Sequence, residues 1–163
     1  MNAARPRAIF DCNVLFQAFL TRRGPAYDCV QLVGARRVQL VTSLDALSEA
    51  RDVLNRPLVI QRAPHVTPAG IDSFLKGLAY GADLWRRVPH LIDYERDPDD
   101  EPYLDLAVAA AVDYVVTRDR DLLVLATDHS AAAKRLRQLT QNRLQILTPN
   151  AFLDAVSRSD DEK

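Results

Sequence analysis

Residues 97–123 read DPDDEPYLDLAVAAAVDYVVTRDRDLL. Three carboxylates in four residues, Asp97, Asp99 and Asp100, open the stretch, an apolar run crosses it, and Asp119 and Asp121 close it. Residues 100–112 have helical spacing, and YVVTR at 114–118 is a short β-branched run of the buried-strand type. A helix of about 12 residues at about 1.5 Å per residue is long enough to carry the chain back across a sheet. The stretch is therefore one helix–strand repeat bracketed by acids.

The alternation continues in both directions. AIFDC (8–12) reads as a strand entering the helix VLFQAFL. Gly24 and Pro25 break the chain before a second helix, AYDCVQLVGARR, and VQLVTS (38–43) follows as a strand. Ser43 N-caps the helix LDALSEARDVLNR, Pro57 ends it, and 58–66 reads as loop. Thr67 and Pro68 open the helix AGIDSFLKGLAYGA, and LWRRVPHLID is extended. Beyond the central stretch come a helix over HSAAAKRLRQL, a strand LQILT and a last helix AFLDAV, leaving SRSDDEK as a charged, flexible tail. The expected fold class is α/β: one domain over 1–156, a three-layer α/β/α sandwich around a mainly parallel sheet, with 157–163 as tail.

Ligands of open parallel sheets bind at the carboxyl ends of the strands. Asp11 ends the first strand and Asp119 directly follows YVVTR, so both belong to that edge. Asp100 opens the helix before that strand, and an extended path through VPHLID brings the chain up to the same edge. On the helix 44–55, Leu44, Leu47, Ala50 and Leu54 form the apolar stripe, with Ala46 and Val53 at its border. Glu49 then sits at the margin of the buried face. Each acid has an ordinary structural use: Asp100, Asp119 or Asp121 as a cap, Glu49 as a solvated side chain, Asp11 as an acceptor at a strand end. Together, four carboxylates on one edge repel and raise each other's pKa unless a cation joins them. An all-oxygen donor set selects Mg²⁺ or Mn²⁺.

Composition sets the outer limits. A chain of 163 residues, 48% hydrophobic and 26% charged, is one folded domain. A net charge of −1 argues against nucleic-acid binding through overall charge, although only three of the 21 basic residues are lysine and arginine suits bidentate phosphate contacts. Asp11 and Asn13 interrupt the first apolar run, so no signal peptide is expected, and no segment approaches the roughly 20 apolar residues of a membrane span. Cys12 and Cys29 are expected as reduced thiols in the cytoplasm, and His65, His90 and His129 as surface or loop residues rather than zinc ligands.

With these residues in place, the chain resembles the PIN-domain ribonucleases, particularly the toxin components of toxin–antitoxin pairs. The likeness rests on IFDCNVL (9–15), SEARDVLNRP (48–57), DPDDEPYLDLA (97–107), YVVTRDRDLL (114–123) and ILTPNAFL (146–153) in order. It implies a metal-dependent ribonuclease in which Asp11, Glu49, Asp100 and Asp119 form the acidic quartet, supported by Asn13, Thr117 and Asp121. Arg118 and Arg120 are the candidate phosphate contacts. RNA is the implied substrate, and a cognate antitoxin and a homodimer are the implied partners. Asp97 and Asp99 match the local pattern and read first as loop and cap residues. Cys12 stands where the family usually has a small hydroxyl residue, and 127–143 is long enough for an additional helix.

Two other readings compete. A PIN-like module that binds RNA or protein without cutting would be expected to lack one or more acids, and all four are present. A haloacid-dehalogenase-type phosphohydrolase shares the opening strand, but needs a second Asp where Asn13 stands.

Overall fold

The computed structural model describes residues 4–162. The first three residues of the expected domain and Lys163 of the expected tail lie outside them. Five strands, β1 (Arg7–Phe10), β2 (Gln39–Ser43), β3 (Asp83–Trp85), β4 (Tyr114–Val116) and β5 (Gln145–Leu147), form one sheet in the order β3-β2-β1-β4-β5. Every pairing is parallel. The chain lays β2 and β3 outward on one side of β1, then crosses to its other side for β4 and β5. The connections leaving β1 and β4 therefore diverge, and a crevice opens at the carboxyl ends of these two strands.

Side chains alternate across the pleat and divide the core in two. Ala8, Phe10, Leu40 and Val116 face one side, while Ile9, Val41 and Val115 face the other. Over the first face pack α1 (Cys12–Thr21), α2 (Pro25–Gly34), α5 (Pro68–Gly81) and α9 (Pro149–Asp161), through Leu15, Cys29, Leu75 and Phe152. Over the second pack α6 (Glu101–Ala109) and α8 (Ala131–Thr140), through Leu104, Leu106, Ala133 and Leu136. The helix α3 (Leu44–Leu54) touches both, with Ala46 in the second core and Ala50 and Leu54 in the first. The α/β/α sandwich is thus present, and the helix expected within 127–143 is α8.

Four local expectations change. The strand of AIFDC stops at Phe10, because Asp11 accepts from the Val14 amide at 2.9 Å and so caps α1, with Cys12 in its first turn. Pro57 begins α4 (Pro57–Arg62) inside the expected loop, since proline at the first helical position sacrifices no hydrogen bond. The stripe of α3 runs through Ala46, Ala50 and Leu54, leaving Leu47 half-buried and Leu44 43% exposed. Residues 157–161, read as tail, continue α9 with Arg37 paired to Asp160.

The stretch between β3 and Pro98 forms no further strand; α6 holds it instead. Asp105, buried, accepts from the amides of Leu91 at 2.8 Å and Ile92 at 2.9 Å, and its other oxygen meets His90 Nδ1 at 3.0 Å. Glu101 accepts from the Tyr94 amide at 2.8 Å. One helical turn apart, these two carboxylates strap residues 90–94 along α6 and so deliver Asp97 to the crevice. Among the described residues no helix is long and apolar enough to cross a membrane.

Candidate active site

The floor of the crevice is built at the ends of β1 and β4. Thr117, fully buried, follows β4 and continues the ladder by donating its amide to Leu147 O at 2.9 Å. Its hydroxyl donates to Asp11 Oδ2 and accepts from the Asp119 amide at 2.9 Å. One hydroxyl therefore ties together the two strand-end acids. Burial raises the pKa of Asp11, the bonds from Thr117 and Val14 oppose it, and the charges of Asp119 and Glu49 push it up further. Asp119 caps α7 (Arg120–Leu123) through the Asp121 amide at 2.9 Å.

Asp100 lies at the start of α6 but caps nothing with its side chain. The expected cap role falls because the carboxylate turns into the crevice, where oxygens of Asp97, Asp100 and Asp119 all come within 4.8 Å of one another. Asp97 does cap the short 3₁₀ turn Pro98–Asp100, accepting from the Asp99 amide at 3.2 Å. It is also a member of the cluster, a second role that sequence reasoning placed behind the first. Asp100 is 7% exposed and its Oδ2 is buried without a hydrogen-bond partner. Burial first, then the charges of Asp119, Asp97, Asp11 and Asp121, push its pKa up to about 7.

Glu49 reaches the same neighbourhood from α3. Its residue is exposed, but Oε2 accepts from the buried Tyr103 hydroxyl at 2.8 Å, and its charge is felt by Asp11 and Cys12. Tyr103 had no role in the sequence reading; its only signal was a tyrosine one turn past Asp100. The Cys12 thiol is pushed up to about 12 by burial, with Glu49 and Asp11 adding to it, so it is neutral, and the hydroxyl that serves Asp11 comes from Thr117.

Asn13 is exposed in the first turn of α1, and its side chain makes no protein hydrogen bond among the described residues. The Asp121 carboxylate is paired with Arg96 Nε at 2.6 Å; its amide holds Asp119, and its charge is the last of those that raise Asp100. Arg118 and Arg120 are exposed and enter no ion pair among the described residues, and Arg118 is near enough to Cys29 on α2 to lower that thiol slightly against burial.

Chemically, the cluster is a concentration of hard oxygen donors. An orphaned buried carboxylate oxygen beside two more carboxylates is a donor set that fits a divalent metal ion. Comparison with curated proteins and with solved structures finds no match. A family model described as PIN domain matches residues 7–121, a span from β1 to Asp121 that takes in Asp11, Glu49, Asp97, Asp100 and Asp119 and leaves out α8, β5 and α9. By that match, over more than half its length, the chain belongs to the PIN domain family.

Proposed function

We propose that this protein is a metal-dependent ribonuclease that hydrolyses RNA phosphodiester bonds, acting in the cytoplasm as the toxin of a toxin–antitoxin pair. The observation that carries the reading is Asp100 Oδ2, buried without a partner among acids at the switch point of the sheet. Leaving a polar atom so placed is costly, and folding gains nothing from it. Asp97, Asp100 and Asp119 would hold Mg²⁺ or Mn²⁺, with Asp11 and Glu49 adjoining. When bound, such an ion supplies a lowered pKa for water and neutralises charge on the phosphate oxygens.

The chain's own residues supply arrangement. Thr117 holds the Asp11 carboxylate and the Asp119 backbone side by side, and the Asp121 amide holds the Asp119 carboxylate, so neither acid drifts when substrate enters. Glu49, the most exposed acid, accepts a hydrogen bond from the attacking water and orients it. Arg118 and Arg120 contact phosphates of the RNA backbone beside the scissile bond. Two buried free thiols support a reducing compartment. The antitoxin and the homodimer rest on the likeness to toxin ribonucleases, and co-purification with the product of a neighbouring reading frame tests the first of them.

The decisive assay incubates single-stranded RNA of mixed sequence with the protein in Mg²⁺, Mn²⁺ or chelator, beside a folded Asp119→Asn variant. Cleavage is expected with either ion and in neither control. Cleavage that survives chelation removes the metal from the mechanism. RNA that is bound but stays intact makes the chain a binding module, and turnover of a small phosphomonoester alone restores the phosphohydrolase reading.

A further inference from the structure

Glu49 differs from the other acids in what holds it. Asp11 and Asp119 are fixed by caps at strand ends, and Asp97 and Asp100 by the turn that opens α6. Glu49 sits in the second turn of α3, exposed, on a longer side chain with more rotamers to lose. Among the described residues its carboxylate has one hydrogen bond, the 2.8 Å bond that Tyr103 donates to Oε2. That bond joins residues 54 positions apart and links α3 to α6. Tyr103 itself is 6% exposed, its ring packed in the second core with Ala46 of α3. Burial and the Glu49 charge both push its hydroxyl pKa upward, so the phenol stays a neutral donor. It follows Asp100 by three residues, a spacing that puts both on one face of a helix.

We infer that Tyr103 is a positioning residue of the nuclease, whose hydroxyl clamps Glu49 Oε2 and leaves Oε1 turned to the attacking water and the cation. The inference rests on the ribonuclease reading and deepens it. One helix start then sets two acids at once: Asp100 by its own backbone position, and Glu49 through the tyrosine one turn later. An ordinary core tyrosine has only to satisfy its hydroxyl, and a backbone carbonyl would serve. Here the partner is the exposed acid that most needs fixing.

Tyr103→Phe keeps the ring and removes only the donor. In the RNA assay with Mn²⁺, kcat should fall about tenfold or more while KM for RNA is unchanged, and Mn²⁺ affinity measured by calorimetry should weaken by about tenfold, the usual effect of removing a residue that orients a ligand. The sharper test is a double-mutant cycle with Glu49→Ala. Tyr103→Phe should change neither kcat nor Mn²⁺ affinity further in the Glu49→Ala background, because its whole effect runs through Glu49. Losses of equal size in both backgrounds, or a lowered Tm with kcat and Mn²⁺ affinity intact, would overturn the inference and make Tyr103 a packing residue. If wild type binds Mn²⁺ and cuts RNA and Tyr103→Phe does both equally well, only this inference falls. If wild type does neither, the nuclease reading fails first and takes this role with it.

Discussion

Replacing Asp100 by Asn should make the metal-free protein more stable while removing its capacity to hold a cation. With no metal bound, the buried carboxyl is pushed up to about 7, by burial and then by Asp119, Asp97, Asp11 and Asp121. In the unfolded chain it returns to the ordinary value of about 4. Below that value both states hold the proton and the group has no net effect. As pH rises from about 4 towards 7 the unfolded state releases its proton first, so stability falls, and above 7 the loss is complete. Three pH units at about 1.4 kcal/mol each give about 4 kcal/mol as a ceiling. Water in the open crevice screens these charges, and about 2 kcal/mol is the realistic figure. Asparagine carries no charge to lose, its amide can donate to the neighbouring carboxylates, and no side-chain cap is sacrificed. Thermal unfolding in chelator near pH 8 should therefore place Asp100→Asn several degrees above wild type, at about 2–4 °C per kcal/mol for a chain of this size. Near pH 4 the gap should close. Mn²⁺ at a hundredfold over its Kd should then raise wild type by about 2.7 kcal/mol and the variant by far less. A variant less stable than wild type near pH 8 without metal, or stabilised equally by Mn²⁺, would show that Asp100 is neither a strained acid nor a ligand.

Other perturbations probe the scaffold. His90 lies between Asp93 at 2.9 Å and Asp105 at 3.0 Å, and its bonds to Asp93 and then Asp105 raise its pKa to about 9. Its folded pKa is above the unfolded value of about 6.5, so its contribution is complete below that value and is lost as pH rises through about 9. NMR titration should find His90 well above 6.5, with the Leu91 and Ile92 amides exchanging faster at high pH in excess of the intrinsic rate; an ordinary His90 pKa would show that the strap does not use its charge. Thr117→Val keeps the side chain's shape but removes the hydroxyl between Asp11 and Asp119, and should cost about 1–3 kcal/mol in denaturant unfolding together with most RNA cleavage. An unchanged midpoint and rate would mean the hydroxyl is incidental.

Much of this architecture was legible because it is local. Residues 8–10 read as a short apolar strand, and Ser43 and Thr67 open helices where an oxygen three residues before a free amide is needed, whereas Asp11, read as a strand-end acceptor, caps α1. Asp11, Asp100 and Asp119 could be assigned to one edge because strand ends and helix starts have fixed places in a parallel sheet, and Glu49 only to the margin of a helix face. What was hidden is long-range. Residues 86–96 have no periodicity because their order comes from Asp105 and Glu101 of α6, not from a ladder. Pro57 is read equally well as the end of one helix or the start of the next, because proline fits both places. Asp97 was read correctly as a cap, which concealed that the same carboxylate faces Asp100 and Asp119. Tyr103 looks like any aromatic on an apolar face, and its partner is 54 residues away.

Whether these carboxylates share one cation is read most directly by anomalous diffraction from Mn²⁺-soaked crystals. A single strong peak is expected among Asp97, Asp100 and Asp119, about 2.0–2.3 Å from an oxygen of each, with Asp100 Oδ2 engaged. Carboxylates without a peak at saturating Mn²⁺, or manganese held elsewhere on the surface, would contradict a shared cation.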